Sequence, residues 1–270
     1  MFVDKIKEIH VEPTTVCQAE CPMCPRTLQG YHLGKVPNKF LTLENFQLKT
    51  EAIINKLEKV LFCGVLGEPT ACGDLLNIIQ WILDNNPTCT IGINSNGGLR
   101  DTTWWQNLAH ITKHNPYNYV VFSIDGLEDT NHIYRRNVNW NTLMNNAKAY
   151  INSGGSAQWD MLVFKHNEHQ IDLAKSLALE LGFNFFRTKV TSRFSKNDWL
   201  QPPTDHIVEN ISTSFSCMAK DTASLYLSAE GLWYPCCYTH TSKQTEFDIE
   251  WGKPIRDISE QSLWISLKLS

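Results

Sequence analysis

A chain of 270 residues, 42% hydrophobic and 19% charged, has enough apolar material for one large core, alone or with a smaller appendix. Its net charge of −4 comes without a basic run, which argues against a nucleic-acid partner. No apolar stretch approaches the roughly 20 residues of a membrane span, and Met1-Phe2-Val3-Asp4-Lys5 lacks the apolar segment of a signal peptide, so no membrane partner is expected and the cytoplasm is the expected compartment.

In chain order, Ile6 to Val11 alternates weakly and reads as a first strand that runs into a cysteine loop. Leu43 to Lys56 shows helical spacing (Phe46, Ile53, Ile54, then Leu57). Val60 to Val65 is a continuous apolar run of strand length, followed by Gly67-Glu68-Pro69-Thr70. Leu75 to Leu83 reads as a helix ended by Asn85-Asn86-Pro87. Thr90 to Asn94 is a strand leading into Ser95-Asn96-Gly97-Gly98, and Trp104 to His114 is helical. Tyr119 to Ile124 is a strand ending in Asp125-Gly126, and Trp140 to Ile151 a helix closed by Ser153-Gly154-Gly155. Trp159 to Phe164 is a strand, Ile171 to Leu181 a helix closed by Gly182, and Phe183 to Val190 a strand.

Alternating β and α elements with buried, unalternating strands imply a parallel sheet with helices packed outside. The six β/α units are too few to close a TIM-type barrel, so an α/β fold with a partial (β/α)6 parallel barrel or an open sheet is expected over residues 1–195. In such sheets ligands sit at the carboxyl ends of the strands, where the polar signatures fall. After about Arg193 the rhythm breaks. Lys196 to Asp205, with Pro202-Pro203, has the composition of a linker, and Leu225 to Pro235 reads as a β-hairpin with Gly231 in its turn. Ile255 to Leu269 has a weak helical pattern, and residues 196–270 are expected to form the appendix.

Nine cysteines, an odd number and unevenly placed, suit metal or redox chemistry better than disulfides in a reducing compartment. Cys17, Cys21 and Cys24 stand in a C-x3-C-x2-C spacing right after the first strand. Three thiolates on one loop can hold an iron–sulfur cluster, and a cubane cluster would keep one iron open to an outside ligand. A zinc loop would call for a second cysteine pair, and none lies nearby. Cys63, Cys72 and Cys89 lie in or beside apolar runs as small core residues. His166 and His169 have no metal-ligand spacing and read as loop caps, and Trp81, Trp104, Trp105 and Trp140 as outer helix packing.

The cysteine spacing after strand one, with Gly-Glu-Pro after strand two, resembles the radical S-adenosylmethionine (SAM) enzymes, along nearly the whole chain. The resemblance implies that Cys17, Cys21 and Cys24 each ligate one iron of a [4Fe–4S] cluster, with SAM chelating the fourth. Met23 stands where the family usually has an aromatic residue that helps cover the adenine. Gly67 and Glu68 match the motif that contacts the methionine amine, and Ser95, Asn96, Ser123 and Asp125 resemble the family's polar strand ends near the SAM ribose and methionine. Arg136 resembles the arginine that pairs with SAM's carboxylate, with Arg135 as a rival.

Cys217 and the pair Cys236-Cys237 at the hairpin's end resemble C-terminal extensions of the SPASM and twitch kinds, which carry an auxiliary iron–sulfur cluster. That likeness makes Cys217 and Cys236 ligands. No cysteine follows Cys237, so Cys237 completes the set, or substrate does, or the chain as given stops short; Ser262-Leu263-Trp264 resembles the segment before the final cysteines of longer relatives. Cys237 is also a candidate hydrogen-atom or proton donor. The implied activity is reductive cleavage of SAM and hydrogen abstraction from a small-molecule or peptide substrate, with electrons from a flavodoxin or ferredoxin. The chain begins almost at strand one, without a module for gripping a leader peptide, which tilts towards a small molecule or a partner-presented peptide. The alternative is a non-enzymatic iron–sulfur or zinc-binding carrier.

Overall fold

The computed structural model describes residues 5–27, 36–191, 194, 199–204 and 218–237. Cys217 and the helical pattern of Ile255 to Leu269 therefore lie outside the described residues, as does most of the stretch around the expected division at residue 195. The strands are β1 (Glu8–Val11), β2 (Lys59–Cys63), β3 (Thr90–Ser95), β4 (Tyr119–Ser123), β5 (Ala157–Leu162), β6 (Phe185–Lys189), β7 (Ser224–Leu227) and β8 (Trp233–Tyr234). They lie in one sheet in the order β6-β5-β4-β3-β2-β1-β7-β8, mostly parallel and not closed. This is the expected α/β architecture.

Helices α1 (Leu43–Thr50), α2 (Leu75–Asn85), α3 (Thr102–Thr112), α4 (Asn131–Tyr134), α5 (Trp140–Asn152) and α6 (Ile171–Glu180) alternate with the strands. Their starts follow from side-chain caps: Thr42 accepts from the Asn45 amide, Asp101 from Trp104 and Asn139 from Thr142. Helix α2 buries Leu75, Ile78, Ile79 and Ile82, one stripe at helical spacing. The expected helix over Leu43 to Lys56 stops at Thr50, and Ile54–Lys56 forms a separate 3-10 turn. Ile53, Ile54 and Leu57 are all buried, and a straight helix would swing neighbouring residues about 100° apart. Breaking the helix lets Ile53 and Ile54 both turn inward. Among the described residues no helix is long and apolar enough to cross a membrane.

Contacts group the chain into two compact units. The first holds Met1–Val16, Pro37–Gly92 and Thr213–Ser270. Within it β1 pairs in parallel with β2 on one side (Ile9 opposite Val60) and β7 on the other (Ile9 opposite Leu225). The expected hairpin forms, with β8 antiparallel to β7 and Gly231 at positive φ. Cys72 and Cys89 are buried core residues, while Cys63 is half-buried.

The second unit holds Cys17–Val36 and Ile93–Ser212. There β4, β5 and β6 pair in parallel, and β4 buries Val120, Val121 and Phe122 in succession, as a strand covered on both faces must. Trp105 is fully buried between Phe122 and Tyr150, so this tryptophan belongs to the core and not to an outer layer. Strand β5 leaves the ladder two residues earlier than expected because Asn167 takes it over. Its Oδ1 accepts the Phe164 amide at 2.7 Å and its Nδ2 donates to Leu162 O at 2.9 Å. Among the described residues His166 caps nothing: its ring stacks on Phe164 at 5.3 Å, and neither ring nitrogen finds a hydrogen-bond partner there. The described part of the expected linker is held down, since Glu168 accepts from the amide and hydroxyl of Thr204, both at 2.5 Å.

Candidate active site

In the second unit the cysteine loop opens with Cys17 and tightens at Cys21, where the Cys24 amide donates to Cys21 O at 3.0 Å. Residues 25–27 then turn helical, starting at Pro25, whose missing N–H suits a first helical turn. Among the described residues none of the three forms a disulfide; Cys21 is buried, and Cys17 and Cys24 are half-buried. Asn96 Nδ2 donates to Cys17 Sγ at 3.7 Å, and Arg135 Nη1 to Cys21 Sγ at 3.9 Å. Burial pushes the Cys21 thiol up and the Arg135 guanidinium works against it. Met23 is half-buried in the same loop.

Asn96 follows β3 and is locked by its surroundings. Its Oδ1 accepts from Gln18 Nε2 at 2.7 Å and from the Gly98 amide at 2.9 Å, while Ser95 Oγ accepts the Gly97 amide at 2.9 Å. Gly97 sits at φ +68, and a Cβ there would stand 2.3 Å from Leu143 Cδ1. This turn therefore needs glycine.

Asp125, just past β4, is completely buried. Its carboxylate accepts from Arg135 Nε at 2.6 Å and from the Leu162 amide at 2.7 Å, and its own amide donates to Asn131 Oδ1 at 2.8 Å. Burial raises the Asp125 carboxyl against the pull of Arg135. Arg135, whose charge burial disfavours, is held above its ordinary value by the Asp125 carboxylate and the Cys21 thiolate. A line of contacts thus runs Asp125–Arg135–Cys21. Ser123 lies half-buried at the end of β4, in register with Asp160. Arg136 is placed elsewhere: it is exposed, with its guanidinium 5.0 Å from the Trp199 ring, and its carbonyl accepts the Glu20 amide at 3.1 Å. Of the two rivals it is Arg135 that the structure brings to a cysteine.

In the first unit, Glu68 is buried, donates its amide to Val16 O at 2.8 Å, and caps the following turn by accepting from the Thr70 amide and hydroxyl at 3.2 and 2.9 Å. Gly67 packs so closely that a Cβ would stand 1.8 Å from Thr14 O, and only glycine fits. Cys236 and Cys237 end the hairpin half-buried, in no disulfide among the described residues. Tyr226 is pushed far up by burial, by the charge and hydrogen bond of Glu12, and by the charges of Cys237 and Glu230.

Sequence reasoning assigned no role to Glu12, Gln18 or Tyr226. Glu12 had a signal, an acid directly between an apolar strand and the cysteine loop; Gln18 and Tyr226 had none.

The donor chemistry fits an iron–sulfur cluster. Three cysteine thiols share one loop, and an amide and a guanidinium lie against two of the sulfurs, where they would offset thiolate charge. Among the described residues no group of three or more His, Cys, Asp or Glu forms a site for a single metal ion.

No curated protein matches this sequence. Among solved structures, Streptococcus suis SuiB bound to S-adenosylmethionine is similar at TM-score 0.69 and 16% identity, over 97% of this chain and 68% of that one. SuiB bound to its precursor peptide SuiA is similar at TM-score 0.66 and 18% identity, over 95% of this chain and 64% of that one. Native anSMEcpe with bound AdoMet and Cp18Cys peptide is similar at 0.66 and 14%, over 97% of this chain and 80% of that one. The chain thus spans about two thirds of the length of SuiB. At these identities the likeness speaks for the fold, and the family rests on the sequence: the radical SAM superfamily model matches residues 11–179, more than half of the chain, and the chain belongs to that superfamily.

Proposed function

We propose that this chain is a radical SAM enzyme that acts on a peptide substrate, with Cys17, Cys21 and Cys24 as the cluster ligands. The observation that carries the reading is the polar support of the cysteine loop, Asn96 on Cys17 and the Asp125-anchored Arg135 on Cys21. A [4Fe–4S] cluster held by Cys17, Cys21 and Cys24 would supply one-electron reduction of SAM, and with it radical hydrogen abstraction from a substrate carbon.

The chain's residues bind and orient. Cys21 and Arg135 keep charge and counter-charge together, and Asp125 holds Arg135 at the loop. Gly67 and Glu68 offer carbonyl and carboxylate oxygens to the SAM ammonium. Ser95, Asn96 and Ser123 supply polar contacts to the ribose and methionine, and Met23 covers the adenine. Arg135, not Arg136, answers the SAM carboxylate, since its guanidinium already lies against the cysteine loop and has N–H donors beyond the one given to Asp125. Cys217 and Cys236 ligate an auxiliary cluster in a SPASM or twitch-like extension, and Cys237 faces the substrate as a hydrogen or proton donor. The reductant is a flavodoxin or ferredoxin, and the compartment the cytoplasm. The peptide substrate is inferred from SuiB and anSMEcpe, both of which were solved with a peptide.

The test is anaerobic reconstitution followed by iron and sulfide counting and incubation with SAM and dithionite. About four irons per chain with 5′-deoxyadenosine formation is expected for the first cluster alone, and more iron, lost in Cys236→Ala, for the auxiliary one. Zinc in place of iron, with no 5′-deoxyadenosine, would return the chain to the carrier class.

A further inference from the structure

One fully buried acid has no part in the roles above. Glu12 follows β1 directly and is 0% exposed. Its Oε1 accepts the amides of Leu66 at 2.5 Å and Gly67 at 2.9 Å, and its Oε2 accepts the hydroxyl of Tyr226. Segments 54, 55 and 214 residues away along the chain therefore close on one carboxylate. A carboxylate, an acceptor at both oxygens, suits three converging donors, whereas an apolar residue would leave two backbone amides and a phenol without it.

The contact sets direction as well as position. Each trans peptide unit is planar, with its C=O opposed to its N–H. Two successive amides aimed at Glu12 therefore turn the carbonyls of Val65 and Leu66 away from it, ahead of the close passage of Gly67 under Thr14 O. Tyr226 is itself oriented: His10 meets its ring edge-on at 5.0 Å, and Tyr234 at 6.0 Å.

We infer that Glu12 is a positioning residue for the Gly67-Glu68-Pro69 loop, supported from the hairpin by the Tyr226 hydroxyl. The inference rests on the reading above, in which this loop receives the SAM ammonium. An ammonium site needs its oxygens at fixed points before the ligand arrives, and Glu12 fixes the two peptide planes that lead directly into Gly67.

The experiment compares wild type, Glu12→Ala, Glu12→Gln and Tyr226→Phe, all reconstituted anaerobically. It measures iron content, SAM dissociation constant by equilibrium dialysis, and hydrogen exchange at the amides of residues 66 and 67. Unchanged iron with SAM bound roughly tenfold more weakly in Glu12→Ala, equivalent to about 1.4 kcal/mol, is expected. Glu12→Gln, which keeps one acceptor oxygen, should recover part of the affinity, and exchange at both amides should quicken in step with the loss. Tyr226→Phe should weaken SAM by a few-fold while sparing the fold; if Glu12→Ala does not fold, Glu12→Gln and Tyr226→Phe decide. SAM affinity within twofold of wild type in folded variants overturns the inference alone. A wild-type protein that holds its cluster but binds no SAM overturns the functional reading and the inference with it.

Discussion

Replacing Asp125 by Asn tests whether the buried pair behind the cysteine loop holds this part of the protein together. The Asp125 side chain is 0% exposed and that of Arg135 is 17% exposed, so solvent screens the pair weakly. Asn keeps the shape but has one acceptor oxygen for two donors, Arg135 Nε and the Leu162 amide, and it leaves the guanidinium without its carboxylate. Removing one partner of a buried ion pair costs about 3–5 kcal/mol because the other charge stays behind. In a chain of this size that is a fall of order 10 °C in Tm. Anaerobic urea unfolding followed by circular dichroism measures it. Asp125→Asn with Arg135→Met should cost less than the sum of the two singles, since the stranded charge is then gone too. A single-variant loss below about 1 kcal/mol, or strict additivity in the double, would refute the ion-pair argument.

Gly67→Ala puts a Cβ 1.8 Å from Thr14 O, so backbone must move, and a drop in SAM affinity of about tenfold or more is expected by equilibrium dialysis. Gly73→Ala is the matched control, since a Cβ there meets nothing within 4 Å, and should bind as wild type. Arg135→Ala should lower iron retention after reconstitution, whereas Arg136→Ala removes an exposed contact with Trp199 worth about 0.5–1 kcal/mol and should leave iron unchanged; equal iron in both would undo the choice of Arg135. Burial would raise the Asp160 carboxyl, but hydrogen bonds from Arg187 and Lys189 outweigh it and hold it low. A depressed carboxylate stabilises above its unfolded value near pH 3.9 and loses that stability as pH falls through its lower folded value. Asp160→Asn should therefore be less stable than wild type at neutral pH, with the two curves converging below about pH 4. The side chains of Arg187 and Lys189 are 46% and 42% exposed, which keeps the gap to about 1 kcal/mol or less.

The fold was legible because parallel strands buried on both faces must be written as apolar runs, and because glycine, proline and asparagine mark where those runs stop. Val120-Val121-Phe122 could be little else. Boundaries were less legible where a side chain overrides the ladder, as Asn167 does at the end of β5. The loops of the candidate site were legible as loops, but not always the side chain within them. Arg135 and Arg136 are neighbours at the end of α4, where Arg135 leaves helical geometry at φ −83 and ψ 59. That one turn decides which guanidinium goes inward to Asp125, and no periodicity in the sequence encodes it. Glu12 and Tyr226 stand 214 residues apart, so their meeting exists only in the fold.

The hairpin is where composition and structure give different emphasis. A broken rhythm and Pro202-Pro203 mark off the C-terminal segment as an appendix, yet β7 lies in the same compact unit as β1 and pairs with it in parallel. Parallel partners need not be neighbours in sequence, only joined by a long crossover. Without β7, one side of β1 would present unpaired amides and carbonyls. With it, the Lys7 amide donates to Ala223 O at 3.1 Å and the Glu12 amide to Leu227 O at 2.9 Å. The last of these bonds sits at the residue from which the chain departs towards Cys17. The end of β1 is therefore held by β7 as well as by β2. The same hairpin ends in Cys236 and Cys237 and carries Tyr226 to Glu12, so one short element supports the exit of β1, the Gly67-Glu68 loop and the late cysteines together.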